Sequence, residues 1–301
     1  LNSPAYLQSK SIPLGLRYKT VVGADEALKL GKLNPFNLLD YQFGIIVACR
    51  EMVQRVTIQK VDVVVLTKNS ERVLEKCLNS IYRNIPVNRL IIVDGYSTDN
   101  TLRIVEKFKE KYGNVVLLMD NGTRGSARMK GINEAATEWF VFVDSDVILC
   151  DKWFEKAKNL VKEDVGGVWG IEIWEGIKNP IVLKLFLKIT RKIFDLRGGT
   201  HDLLVRRDAI KDISIPRDLH AFEDAFIKEW IEKKGYRLVA TYDPYCIHFR
   251  PPEAWTINGS IHILIENLRF GTLRKLPKLC MAYAFYTVYV LYRSLSKKIK
   301  S

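Results

Sequence analysis

From residue 61 onward the apolar positions follow two alternating rhythms. VDVVVL (61–66) is an unbroken apolar run of strand length, after which Val73, Leu74, Cys77, Leu78, Ile81 and Ile85 recur three and four residues apart. The first pattern predicts a buried strand and the second an amphipathic helix. LIIVD (90–94) repeats the strand signal, and Leu102, Val105, Phe108 and Tyr112 share one helical face. VVLLM (115–119) predicts a third strand, residues 126–136 a short helix, and WFVFVDSD (139–146) a fourth strand. Continuous apolar strands alternating with helices predict a mostly parallel sheet with helices on both faces. Right-handed crossovers then bring the strand ends Thr67, Asp94 and Asp144 to one edge, the carboxyl edge where open α/β sheets bind ligands.

Beyond residue 150 the pattern loosens. A helix over about 152–163 precedes a strand through GVWGIEIW (167–174), and a turn at Gly198-Gly199-Thr200 leads into LLVRRDAI (203–210). The helix over 221–234 stops at Gly235, because glycine takes up the left-handed conformation that closes a helix. RLVATYD and YCIHF predict two short strands. Residues 1–60 predict no fold beyond a helix across 38–54, and the last fifty residues predict two helices joined at Gly271 and broken again at Pro277. The uncharged run LCMAYAFYTVYVLY (279–292) is shorter than the roughly 18–20 residues that span a bilayer. It suits either a buried helix or one lying among lipid headgroups, with tyrosines at the boundary and lysines in water.

At 301 residues and 48% apolar content the chain can bury a full core. Its five cysteines, Cys49, Cys77, Cys150, Cys246 and Cys280, are scattered and form no Cys-x-x-Cys pair. Neither a disulfide framework nor a zinc site is indicated, and a reducing compartment is expected. There is no leader-like start of positive charge followed by an apolar run. The net charge of +13 lies mainly at the ends: +4 over residues 1–60, +3 over 61–250 and +6 over 251–301. A nearly neutral middle offers no continuous basic stripe for nucleic acid, whereas a basic flank beside an apolar run suits an anionic membrane surface.

The candidate chemistry lies at the strand ends. On extended backbone Asp144 and Asp146, two residues apart, point to one face, a suitable arrangement for a divalent cation. Phe222-Glu223-Asp224 opens a helix, where carboxylates are favoured by the helix dipole. Each signal has an ordinary alternative: acid pairs decorate turns, helix starts carry surface charge, and an isolated histidine such as His248 is often a core residue. Trp169 and Trp174 offer flat aromatic faces for stacking a ligand, though tryptophans are more often core.

In their order along the chain these residues resemble the family 2 glycosyltransferases of GT-A fold, over about 61–250. Leu66-Thr67-Lys68-Asn69 is similar to the Pro-Thr-x-Asn turn of that family, with the proline lost. Val93-Asp94-Gly95-Tyr96-Ser97-Thr98-Asp99-Asn100-Thr101 is similar to its Val-Asp-Asp-Gly-Ser-x-Asp-x-Thr, with Gly95 at the second aspartate. Ala127-Arg128-Met129-Lys130-Gly131-Ile132 resembles its Ala-Arg-Asn-x-Gly-Ile, Asp144-Ser145-Asp146 its metal motif, and Glu223-Asp224 its later acidic pair. The Gln-x-x-Arg-Trp signature of processive synthases is missing, which favours a single-transfer enzyme.

The resemblance implies a Rossmann-like GT-A catalytic domain over 61–250, between an N-terminal extension (1–60) and a basic, amphipathic helical segment (251–301). It implies a metal-dependent, inverting transfer from a UDP- or GDP-sugar to a glycan or lipid-linked acceptor. The expected setting is cytoplasmic, peripheral at the inner face of the membrane, with no nucleic-acid partner. Thr67, Asn69, Asp94 and Arg128 would serve the nucleoside, Asp144 the ribose or the metal, Asp146 and His248 the metal, and Arg250 the diphosphate. Gly199 would line the sugar pocket, and Asp224 beside Glu223 would be the base. The cofactor would be Mn2+ or Mg2+, neutralising the charge that develops on the leaving diphosphate. Two alternatives stand beside this expectation. One is a polyprenyl-phosphate sugar synthase; the other is a non-catalytic, basic membrane-binding module on a degenerate transferase fold. A nucleotidyltransferase would need a glycine-rich basic turn after the first strand, which LTKNSE lacks.

Overall fold

The computed structural model describes residues 58–174, 199–249 and 257–270, together with the single positions Pro277, Cys280 and Ala284. The helix expected over 38–54, the extension 1–60 up to residue 57, the turn residue Gly198, Arg250 and the run 279–292 except Cys280 and Ala284 lie outside the described residues.

The first half follows the alternation in the sequence: β1 (Val61–Thr67), α1 (Glu71–Asn84), β2 (Val87–Asp94), α2 (Thr101–Tyr112), β3 (Val115–Met119), α3 (Arg124–Glu134) and β4 (Trp139–Asp144). These four strands pair in parallel in the order β3-β2-β1-β4. Then come β5 (Val147–Leu149), α4 (Trp153–Lys158), β6 (Val165–Trp174), β7 (Asp202–Arg206) with a 3-10 turn at Arg207–Ile210, α5 (Glu223–Lys233), β8 (Arg237–His248) and α6 (Ile257–Phe270). Strand β7 runs antiparallel to both β4 and β6, β6 is parallel to β8, and β8 is antiparallel to β5. The parallel rule therefore holds for the first half of the sheet and gives way to mixed pairing in the second. RLVATYD and YCIHF, expected as two strands, are one long β8. Helix α4 is half the length expected, whereas α5 ends one residue short of prediction and is followed by Gly235 with φ of 84°.

Alternate strand residues face two cores. Val61, Val63 and Val65 pack with Leu74, Cys77, Leu78 and Ile81 of α1 and with Val105 and Phe108 of α2. Val64 faces the other way, with Ile91, Val93, Phe140 and Phe142, under α3 and α5. Both sides of β1 are buried, so the strand carries no polar alternation, and each such side chain contributes about 1.5–3 kcal/mol over exposure. Helix α3 lies close on β1: a Cβ at Gly131 would come within 2.4 Å of Val64 Cγ1. Arg128, three residues earlier, shares that face and is buried with it.

The strand order explains how the sheet presents its edge. Only two residues separate β4 from β5, yet they stand fourth and eighth in the eight-stranded order β3-β2-β1-β4-β7-β6-β8-β5. A sheet with that order must curl until its far end returns towards the carboxyl end of β4. Val147 consequently pairs with His248 at the end of β8.

Candidate active site

The strand ends meet where the crossovers predict: Thr67 pairs with Asp94 and Leu66 with Asp144. Asp94 is fully buried and organises the loop after β2. Its Oδ1 accepts Ser97 N–H at 2.7 Å, and its Oδ2 accepts the Thr67 and Ser97 hydroxyls, both at 2.7 Å. Asn69, with φ of 49°, stitches the neighbouring loop to it, donating its N–H to Ser97 Oγ and accepting Thr98 N–H at 2.9 Å. Between them Tyr96 also has positive φ, 57°, and is exposed. A non-glycine residue in that conformation is uncommon and frequent at functional sites; its place in the Asp94–Ser97 turn was the sequence signal for it.

The acid pair does not behave as extended backbone. Strand β4 stops at Asp144, and Ser145 and Asp146 form the turn into β5, so the expected two-residue alternation is lost and the carboxylates take different partners. Arg128 Nη2 donates to Asp144 Oδ1 at 2.5 Å, over the Phe142 ring. Burial works against a charged Asp144, but Arg128, with His248 and His201 nearby, outweighs it and holds the carboxyl at about 2. Asp146 Oδ1 instead lies 3.1 Å from His248 Nε2. Of the three predicted metal ligands, Asp146 and His248 therefore meet, while Asp144 is engaged by Arg128. Ser145 fixes the turn through its hydroxyl, 2.9 Å from Ser70 Oγ after β1.

Behind His248 runs a chain of acidic and imidazole groups that the sequence reading passed over. His248 Nδ1 lies 3.2 Å from Glu172 Oε2, which is 3.9 Å from His201 Nε2. His201 Nδ1 pairs with Asp202 Oδ1 at 2.7 Å. Burial disfavours protonated His248, but its contacts with Asp146 and Glu172 prevail and raise it to about 9. The same balance, led by Asp202, raises His201. The signal available for Glu172 was a carboxylate inside an apolar strand, between the buried Ile171 and Ile173. For His201 and Asp202 it was their place directly after the Gly199-Thr200 turn.

The structure separates the two members of Glu223-Asp224. Glu223 is buried; burial and neighbouring Asp224 raise its carboxyl to about 7 against the pull of Arg128 and Arg124. Asp224 is less buried and stands beside Gly199: a Cβ there would lie 3.3 Å from Asp224 Oδ2 and 2.9 Å from His201 Cδ2. Glu223 Oε2 and Arg128 Nε and Nη1 are buried and make no hydrogen bond among the described residues. Such groups call for water or a ligand. Trp169 is core, 4% exposed, so it is not a sugar platform; the side chain of Trp174 is outside the described residues.

Residues 62–182 match the model of Glycosyl transferase family 2. Over that stretch the chain is similar to the family. It is 26% identical over 252 residues to the poly(ribitol-phosphate) beta-glucosyltransferase of Bacillus spizizenii, an alignment covering 75% of this chain and 39% of that protein. To the poly(ribitol-phosphate) beta-N-acetylglucosaminyltransferase TarS of Staphylococcus aureus it is 33% identical over 180 residues, 55% of this chain and 31% of TarS. The matched regions thus span about a third to two fifths of these relatives. The cholesterol galactosyltransferase of Borreliella burgdorferi is 24% identical over 246 residues, 73% of this chain and 68% of that enzyme.

Among solved structures, the mannosyltransferase PcManGT from Pyrobaculum calidifontis in complex with GDP-Man and Mn2+ superposes with a TM-score of 0.57 at 20% identity, over 79% of this chain and 76% of that one. S. aureus TarS 1–349 in complex with UDP-GlcNAc gives 0.52 at 22% identity, over 79% and 73%. These likenesses establish the fold as GT-A. Among the described residues no helix is long and apolar enough to cross a membrane.

Proposed function

We propose that this chain transfers a sugar from a nucleotide-sugar to an acceptor hydroxyl, with inversion at the anomeric carbon and with help from a divalent cation. The observation that carries the proposal is the meeting of Asp146 with His248 at the carboxyl edge, on the side of the fold where Asp224 stands beside Gly199. Asp146 is about a third exposed, so a cation can reach it, and a carboxylate with an imidazole forms a mixed oxygen and nitrogen donor set. Such a set suits Mn2+ better than Mg2+, which prefers oxygen and retained water. A cation held by Asp146 and His248 would offset the charge that appears on the departing diphosphate.

The protein's own groups would do the rest. Thr67, Asn69 and Asp94 would shape the nucleoside shelf, with Asp94 acting through the loop that it ties and exposed Tyr96 at the rim. Arg128 would hold Asp144 towards the ribose and lend its unpartnered N–H groups to the donor. Gly199 would let the backbone approach the sugar, and Asp224 would take the proton of the acceptor hydroxyl as it attacks opposite the diphosphate. Buried Glu223 would support this site without receiving that proton. Arg250 would remain the candidate diphosphate contact.

The names of the relatives favour a UDP-sugar donor and a polyol-phosphate or glycan acceptor. One observation favours a lipid-linked acceptor instead: Ile261, Ile265 and Leu268 form an exposed apolar stripe on α6, and the sequence that follows it is basic, which suits an anionic membrane face.

The test is thermal stability with UDP, GDP, CMP and dTDP, each with and without Mn2+, on the native chain and on Asp146→Ala. Binding to the folded state alone raises stability by about 2.7 kcal/mol at a hundredfold excess over Kd. A Mn2+-dependent shift with one nucleotide, lost in Asp146→Ala, is expected and names the donor class. No shift with any nucleotide would overturn the proposal in favour of a degenerate fold.

A further inference from the structure

The acidic and imidazole chain behind Asp146 does more than fill the core. Glu172 lies on β6 opposite Cys246 of β8, and His248 is two residues further along the same strand, so Glu172 and His248 share a face of the sheet. Glu172 Oε2 sits 3.2 Å from His248 Nδ1, on the side of the ring opposite Asp146. A carboxylate at that nitrogen turns Nε2 towards Asp146 and makes the ring a better donor there.

Glu172 is itself backed by His201, whose other nitrogen pairs with Asp202. Asp202 is fully buried and ends the chain: its Oδ2 accepts Trp153 Nε1–H at 2.9 Å and Gly170 N–H at 3.2 Å. The close approach of Gly170 is required, since a Cβ there would come within 2.4 Å of Asp202 Oδ2. His201, Asp202 and Cys246 also have the spacing of a metal site. However, all three are buried, and Asp202 Oδ2 already accepts Trp153 and Gly170.

We propose that Glu172, with His201 and Asp202 behind it, is a positioning residue that orients His248 for the divalent cation. This rests on the metal reading of Asp146 and His248 given above. Carboxylates in such a place typically contribute 10- to 100-fold to metal affinity.

The experiment measures Mn2+ binding alone, by the loss of the free-ion electron paramagnetic resonance signal. It uses the native chain, Asp146→Ala, His248→Ala, Glu172→Ala, Glu172→Gln and the double variant Glu172→Ala/His248→Ala, with metal-free unfolding confirming that each is folded. Glu172→Ala is expected to bind Mn2+ about 10- to 100-fold more weakly. Glu172→Gln, which keeps an acceptor but loses the charge, is expected to be at least about threefold weaker, and decides the matter if the alanine variant does not fold. The double variant is expected to be no weaker than His248→Ala, because Glu172 acts through that ring. Additive losses, or Glu172 variants that bind like the native chain while Asp146→Ala does not, would overturn the role of Glu172 alone. Native binding no tighter than Asp146→Ala would remove the metal site, and this proposal with it.

Discussion

Arg128 and Asp144, on different elements and sixteen residues apart, form a short ion pair with Nη2 2.5 Å from Oδ1. Arg128 is 2% exposed and Asp144 is partly open to solvent, so water only partly replaces the pair when Arg128 is lost. Replacing Arg128 with methionine keeps most of the packing over the Phe142 ring but leaves the Asp144 carboxylate without its cation. Removal of one partner of a buried pair typically costs 3–5 kcal/mol; because Asp144 is partly open to solvent, about 3 kcal/mol is expected here. Urea unfolding of native and Arg128→Met chains measures it, and a loss below about 1 kcal/mol would mean the pair is solvated as a surface bridge is.

Asp224→Asn separates chemistry from binding. General-base help is typically worth about 10² to 10⁴ in rate, so kcat should fall within that range while the nucleotide-dependent thermal shift stays near native. A weakened shift with kcat intact would place Asp224 in donor binding instead. With a lipid-phosphate acceptor, already deprotonated at neutral pH, the substitution should change little, so the same assay distinguishes the two acceptor classes.

Gly199→Ala tests the tight approach beside that carboxylate. The added methyl would meet His201 Cδ2 at 2.9 Å and Asp224 Oδ2 at 3.3 Å, and neither neighbour is at the end of a long flexible chain. A displaced base of this kind can cost about 10²-fold in turnover, with a stability loss of about 1–3 kcal/mol from overpacking. Steady-state kinetics and unfolding on the same preparation should show the larger effect in kcat.

Glu223 should tie stability to pH. Its carboxyl is raised from 4.5 to about 7 by burial and by Asp224. A raised acid binds its proton more tightly when folded, so its contribution is fully present below about pH 4.5 and is lost as pH rises to about 7. At about 1.4 kcal/mol per unit the whole change is about 3 kcal/mol. Glu223→Gln, neutral throughout, should lack this slope. Unfolding free energies at pH 5, 6, 7 and 8 give the comparison, and parallel curves for the two chains would show that Glu223 is ionised across the range.

Periodicity alone specified the elements of the first half, because continuous apolar runs can bury both faces of a strand and three-four spacing can bury one face of a helix. The same pattern, with the handedness of crossovers, brought Thr67, Asp94 and Asp144 to one edge. The motif order along the chain, with Asp146 and Glu223-Asp224 in place, was enough to indicate the family. Tertiary structure decided what local rhythm cannot encode. The turn at Ser145-Asp146 sends Asp144 to Arg128 and Asp146 to His248, because curling of the sheet sets β5 against β8. Burial, invisible in an adjacent pair of letters, separates Glu223 from Asp224. The chain from His248 through Glu172 and His201 to Asp202 exists only because β6 pairs in parallel with β8 and antiparallel with β7. Register between strands so distant in sequence depends on the packing of the whole sheet, whereas the face a side chain takes within one strand depends only on its neighbours.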